Sequence, residues 1–381
     1  MNENNNEELD IFRDMVKKAL QKEIAPYHEQ WEKAGCLPRE MWNTLGEAGL
    51  LCVDLPEEYG GSGVSFKFSQ LILEEIARLG FVGLAGSVAI QSDIVAQYIL
   101  HIGSEDQKQH WLPGMCTGEV VTAIAMTEPG AGSDLQGMRT SAIADGDEFV
   151  MNGSKTFITN GANADMVIVA AKTNPKAGGK GISLFLVDTK LAGFKKGKVL
   201  EKIGQHAGDT AELFFEDLRV PASALLGQLN HGFFYLIQEL PRERLAIGST
   251  AVAAAEGALE WTVDYVNQRK AFSKRLSEFQ NTRFKLAELK TEIEINKAYL
   301  NQCVSLYEAG KMDVATAAMV KLATTEMQCK VTDECLQLFG GYGYMAEYPI
   351  ARAFVDARVQ KIYAGTSEIM KEVIARDVLG H

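Results

Sequence analysis

Residues Val120 to Gly137 read VVTAIAMTEPGAGSDLQG, and the period of the chain changes inside them. VVTAIAM is a short run of β-branched and small apolar residues, the pattern of a buried strand. Upstream, IFRDMVKKAL, MWNTLGEAGLL, LILEEIARLG and IVAQYILHIG repeat apolar residues at helical spacing, with Gly and Pro between them. SEDQ, Ser104 to Gln107, fits a capping box at a helix start. Downstream, TSAIA, EFVMNG, KTFITNG, MVIVAAK, ISLFLVD and AELFFEDLRV are strand-type runs separated by turns of Gly, Asn and Asp. With VVTAIAM they predict an antiparallel sheet or barrel of roughly seven strands. After Gly232 helical spacing returns and lasts to the end, in segments as long as LAELKTEIEINKAYLNQCVSLYEAG, which pack most simply as a bundle. The expectation is an α+β chain in three parts: an N-terminal helical domain over 1-120, a middle antiparallel β-domain over 121-228 and a C-terminal four-helix-type domain over 229-381.

Composition narrows the function. With 381 residues, 46% of them hydrophobic, the chain can bury more than one core. Its net charge is −12 and no block of Lys and Arg occurs, which argues against a nucleic-acid partner, because phosphate contacts need clustered positive charge. Cys36, Cys52, Cys116, Cys303, Cys329 and Cys335 are scattered, and His28, His101, His110, His206 and His231 show no ligand spacing, so neither a disulfide framework nor a metal site is expected. The opening MNENNNEELDIF lacks the regions of a secretory signal, and the most apolar run, Ala251 to Ala258, is broken by Glu256. The expectation is a soluble, cytoplasmic protein with no stable membrane insertion.

Five stretches could carry chemistry, and the first three also have a plainer structural reading. MTEPGAGSDLQG, Met126 to Gly137, can point backbone N–H groups at an anionic or carbonyl-bearing ligand, or be a turn between strands. NGSKTFITNGAN, Asn152 to Asn163, puts Phe157 and Thr159 on one strand face, where one could stack on a ring and the other hydrogen-bond it; an ordinary hairpin would read the same. QELPRERLAIG, Gln238 to Gly248, reads as the opening of a helix with Glu239 and Glu243 four apart, and Arg242 and Arg244 flank the second. A carboxylate at the apolar edge of that helix would be pushed toward neutral pH and suit a general base; otherwise the segment is a solvated start with ion pairs, and spacing does not choose between the glutamates. KIYAGTSEIM, Lys361 to Met370, reads as a helix cap suited to an anion, yet its turn holds no group that could move a proton. QLFGGYGYM, Gln337 to Met345, is a glycine-rich aromatic turn between helices.

Taken in chain order the stretches, with NQRKAFSKRLSEFQ, resemble the acyl-CoA dehydrogenase family over nearly the whole chain. ELPRER, DTAELFFEDLRVPASALLG and DARVQKIY look most like its long-chain branch. The resemblance implies two helical domains around a β-domain, a homotetramer built as a dimer of dimers, and FAD. It assigns to the flavin the stretch Ile124, Ala125, Met126, Thr127, Gly130, Gly132 and Ser133, together with Phe157, Ile158 and Thr159. Thr127 and Thr159 would hydrogen-bond the ring, and Phe157 stands where many relatives have tryptophan. Across a subunit boundary, Arg269, Gln280, Gln337, Leu338, Phe339, Gly340 and Gly341 would contact the dinucleotide, and Thr366, Ser367 and Glu368 would line its phosphates.

The resemblance also answers the missing proton carrier. Many relatives hold a catalytic glutamate where this chain has Ala364; long-chain and isovaleryl-type relatives hold it at the position of Glu243. It implies that Glu243 removes an α-proton from a fatty acyl-CoA while a β-hydride passes to flavin N5, giving a trans-2-enoyl-CoA. Ala364 and Gly365 would meet the thioester, and Ser133, Phe234, Arg242 and Arg244 the substrate, with Arg244 toward its nucleotide end. Electrons would go to an electron-transfer flavoprotein. Branched-chain acyl groups, an oxidase and a non-catalytic acyl-CoA-binding or assembly protein on the same fold are the competing readings.

Overall fold

The computed structural model describes residues 3–380. Its first part is helical: α1 (Glu3–Ala19), α2 (Ala25–Ala34), α3 (Arg39–Glu47), α4 (Phe66–Arg78), α5 (Val82–Ala89), α6 (Ala96–Ile102) and α7 (Glu105–Thr117). The capping box is present, with Gln107 N donating to Ser104 Oγ and Ser104 N to the Gln107 side chain. The Gln107 amide also donates to the carbonyls of Ser223 and Leu225, fastening α7 to the middle of the chain. Between α5 and α6 one wide π-helical segment, Ile90–Val95, carries Asp93 into the core.

Strands β1 (Thr122–Ala125), β2 (Ser141–Asp145), β3 (Glu148–Thr159), β4 (Met166–Lys172), β5 (Ile182–Asp188), β6 (Phe194–Val199), β7 (Thr210–Pro221) and β8 (Leu225–Leu226) form one sheet, with path β6-β7-β3-β2-β4-β5-β8. Three findings differ from the sequence expectation. EFVMNG and KTFITNG are one strand, not two arms of a hairpin; β3 bends at register shifts after Met151 and Lys155. FKKGKV forms β6, a polar edge strand whose hydropathy gave no signal. The sheet is not wholly antiparallel, since β1 runs parallel to β4, a direction that local patterning does not encode.

The last part holds α8 (Gly232–Gln268), the short ribbon β9 (Lys270–Ala271) and β10 (Lys274–Arg275), α9 (Gln280–Glu308), α10 (Val314–Phe339), α11 (Pro349–Gln360) and α12 (Ser367–Leu379). ELPRER therefore lies inside α8, not at its start. Small residues let α8 approach its neighbours. A Cβ on Gly257 would meet the Arg78 carbonyl of α4 at 2.2 Å, and one on Gly232 would sit 2.9 Å from Ser183 of β5. The Ala251–Ala258 run is core, and its Glu256 pairs with Arg78 and Lys297. No helix among the described residues is long and apolar enough to cross a membrane.

Candidate active site

Two carboxylates one turn apart on α8 face α6, and their partners separate them. Both oxygens of Glu239 lie 3.0 and 3.1 Å from His101 Nδ1. Glu243, 3% exposed, accepts one hydrogen bond, from the Tyr98 hydroxyl at 3.0 Å. Burial pushes the Glu243 carboxyl up to about 7; the Tyr98 bond opposes this and the negative charge of Glu239 adds to it. Glu243 is thus the acid near neutrality, a choice that spacing alone could not make.

Arg242 has a different place from the one expected. Its guanidinium reaches Asp54 at 2.6 Å and Asp93 at 2.7 Å and covers the Phe66 ring at 4.6 Å. With its charge matched inside the protein, it is a scaffold group tying α8 to α4 and the π-helical segment rather than a substrate contact. Arg244 is buried, and Nη1 reaches the Val314 carbonyl at 3.5 Å. Its Nη2 lies 4.0 Å from where a Cβ on Gly365 would stand, so it meets the 364–365 turn.

That turn is built for an exposed amide. Ala364 has φ 50°, left-handed and costly for a residue with a Cβ. Gly365 has φ 97°, a backbone that side-chain-bearing residues rarely adopt, which glycine takes without strain. The buried Lys321 Nζ donates to the Gly365 carbonyl at 2.8 Å and fixes the turn from behind. Burial, aided by Arg244, brings Lys321 down to about 8. Among the described residues nothing accepts the half-buried Ala364 N–H. Thr366 caps α12 through Ile369 N at 3.3 Å, while the Ser367 hydroxyl is committed to Glu326 at 2.8 Å; Glu368 is exposed in the first turn.

The glycine loop and β3 form a second set. Lys155, buried on β3, donates to the Met126 carbonyl and to Glu128, each at 2.9 Å, and Thr156 N donates to the Thr127 carbonyl at 3.0 Å. Glu128 accepts from Arg139 N and Thr140 N, closing the loop on itself. The bulge turns Phe157 to φ 60° and leaves its side chain outside, 67% exposed, next to the half-buried Thr159. Gly130 and Gly132 face open space where a Cβ would stand, and Ser133 is exposed. Ile124, Ala125 and Ile158 are core side chains, so only their backbones could meet a ligand. The loop reaches α8 through Gln136 and Phe233, which both touch Gly179, and Phe234 lies exposed beside them.

A third set lies at the far ends of α8 and α10. Arg269 covers the Tyr342 ring at 5.4 Å, with Gln280, Gln337, Gly340 and Gly341 exposed nearby in sequence and Leu338 half-buried. The Phe339 side chain is turned inward, so only its backbone could meet a ligand. It is 5% exposed, its ring stacks on Tyr265 at 4.2 Å and its carbonyl accepts from the Tyr265 hydroxyl. Sequence reasoning missed Tyr98, Lys155 and Lys321. For Lys321 a signal existed: it shares the buried stripe of α10 with Thr324, Thr325 and Gln328, a run of polar residues where apolar ones are the rule.

Comparisons with known proteins follow the same three-part division. Family models described as acyl-CoA dehydrogenase N-terminal, middle and C-terminal domains match residues 6–119, 123–218 and 230–379. The chain is 52% identical over 374 residues to the mitochondrial long-chain specific acyl-CoA dehydrogenase of Sus scrofa, covering 98% of this chain and 86% of that one. A crystal structure of an acyl-CoA dehydrogenase from Geobacillus kaustophilus superposes with TM-score 0.96 at 47% identity, covering 99% and 98% of the two chains. A glutaryl-CoA dehydrogenase from Mycobacterium smegmatis, solved in complex with FADH2, does so with TM-score 0.93 at 30% identity, covering 100% and 96%.

Proposed function

For this chain, which belongs to the acyl-CoA dehydrogenase family, we propose α,β-dehydrogenation of long-chain acyl-CoA with Glu243 as the base. The family and the relatives make it an oxidoreductase acting on CH–CH groups. The observation that carries the finer reading is the pairing of a buried carboxyl at about 7 with a turn whose amide is unclaimed. The long-chain choice is supported by the likeness to the Sus scrofa enzyme.

FAD fits the residues present: an exposed ring at Phe157, hydroxyls at Thr127 and Thr159, an open glycine cradle and the capped start of α12. When bound, it supplies the acceptor for the β-hydrogen as hydride. Thr127, Phe157 and Thr159 would hold its ring, and Arg269, Gln280 and the 337–341 turn of a neighbouring subunit in a dimer of dimers would hold the dinucleotide. The Ala364 N–H donates to the thioester carbonyl and stabilises charge as it develops there. Glu243 takes the α-proton, and at about 7 its carboxyl is close to half ionised at neutral pH, which suits a base that must later release its proton. Tyr98 holds the carboxylate in place through the transfer. An electron-transfer flavoprotein is the acceptor in this reading.

Anaerobic titration of the flavin-loaded protein with palmitoyl-CoA, octanoyl-CoA and isovaleryl-CoA tests it. Rapid bleaching of the flavin by palmitoyl-CoA is expected, and Glu243→Gln should bind it without bleaching. Bleaching by isovaleryl-CoA alone would keep the reaction and overturn the chain length; bleaching by the Glu243→Gln protein would overturn the base.

A further inference from the structure

Glu243 and Glu239 are both buried, but the partner of Glu239 reaches water while Tyr98, the partner of Glu243, does not. Tyr98 and His101 lie three apart on α6, Glu239 and Glu243 four apart on α8, so each pair shares a helix face. The faces meet as a ladder: Tyr98 against Glu243, His101 against Glu239. The outer rung is wet. The His101 side chain is 39% exposed while that of Glu239 is 6% exposed. His101 lines a cavity of about 990 Å³ between α7, the end of β5 and residues 221–228, which also presents Asp106, His110, Trp111, Asp188 and Tyr235. A solvent-facing imidazole is therefore joined to a buried carboxylate one turn from the base.

We propose that His101 and Glu239 are positioning residues that set the proton affinity of Glu243 from the solvent side. This rests on the reading of Glu243 as the base. With His101 protonated, the Glu239 charge is cancelled and Glu243 ionises more readily. With His101 neutral, the Glu239 charge stands bare against Glu243 and holds the proton there. Other charges bear on the pair. Tyr98 from α6 and Arg244 from α8 face Glu243, and Tyr307 from α9 faces Glu239 and Arg242. Asp106 and Asp188 line the same cavity as His101. None of these links a solvent-exposed side chain to the base as His101 does. A carboxylate placed only to fill space would not need two oxygens turned onto one imidazole.

The test is the pH profile of flavin reduction by saturating acyl-CoA in the flavin-loaded enzyme, whose acidic limb reports Glu243. Glu239→Gln removes the nearby charge and should move that limb about one pH unit down, and His101→Gln bares the charge and should move it up by a similar amount. The double variant should match Glu239→Gln, because His101 acts only through Glu239. An infrared carboxylic-acid band that Glu243→Gln abolishes, followed against pH without substrate, should shift in the same order. A structural role would slow both variants without opposite displacements, and limbs that stay put or move together overturn the proposal. His101 is partly exposed, so its variant folds whatever the fate of the buried one, and its shift alone decides the sign. If Glu243→Gln still reduces flavin, the base reading falls first; if it is inactive and the limbs do not diverge, only the role of the pair falls.

Discussion

Replacing Glu243 by Gln should stabilise the protein at alkaline pH and do so less at acidic pH. In the folded chain burial raises the Glu243 carboxyl from its ordinary 4.5 to about 7. Between those values the folded state holds a proton that the unfolded chain has lost, so wild-type stability falls as pH rises through the window. At about 1.4 kcal/mol for each pH unit the full effect is about 3 kcal/mol, complete above pH 7 and absent below 4.5. Gln has the same shape, cannot ionise and still accepts from the Tyr98 hydroxyl, so it removes the charge and little else. Urea midpoints of wild type and variant, at matched protein and flavin concentrations, should therefore diverge by pH 8 and converge near pH 5. A variant that is equally stable or weaker at pH 8 would show that Glu243 is not a desolvated carboxyl, and the argument for a base near neutrality would fail with it.

Arg242→Met strands Asp54 and Asp93 as uncompensated buried charges and should cost about 3–5 kcal/mol in the same denaturation assay, with loss of acyl-CoA binding only in proportion to loss of folded protein. Lys155→Met frees the glycine loop from β3 and leaves Glu128 without its cation; it should cost about 3 kcal/mol, and the protein should elute from gel filtration with less flavin. Ala364→Gly relieves the left-handed backbone and should raise the thermal midpoint, by an amount reflecting up to about 1 kcal/mol, without moving the amide.

Much of the fold is legible because most elements are long or strongly periodic. The failures have local causes. β3 reads as a hairpin because its glycine and bulge residues look like turns, whereas the pairing with β7 that carries the strand through them lies 60 residues away in sequence. β6 gives no hydropathy signal because an edge strand has little apolar surface to bury and can be half lysine. In the site, the loops and turns are recognisable as motifs, but the partners of the charged side chains come from other elements. Arg242 and Arg244 are two apart and look equivalent in ELPRER; one turns to Asp54 and Asp93, the other to the Gly365 turn. No spacing rule separates them, because the difference is made by α4, the π-helical segment and the turn before α12.

The same partners explain how the proposed proton carrier could sit on α8. Buried ionisable groups are costly unless matched, and this core matches them one by one: Arg242 with Asp54 and Asp93, Lys155 with Glu128, Glu239 with His101, and Lys321 with the Gly365 carbonyl. Each match holds two elements together. Glu243 alone among these is met by a neutral phenol, which orients a carboxylate without cancelling its charge. Such a group changes protonation state near neutral pH with no ion pair to break. A glutamate at position 364 would instead stand next to Gly365, where Arg244 and Lys321 already lie, and two nearby cations would hold it ionised and depress its basicity. With the cations at the turn and the unmatched carboxyl on the helix, the proposed reaction would use the turn to bind the carbonyl and the helix to take the proton.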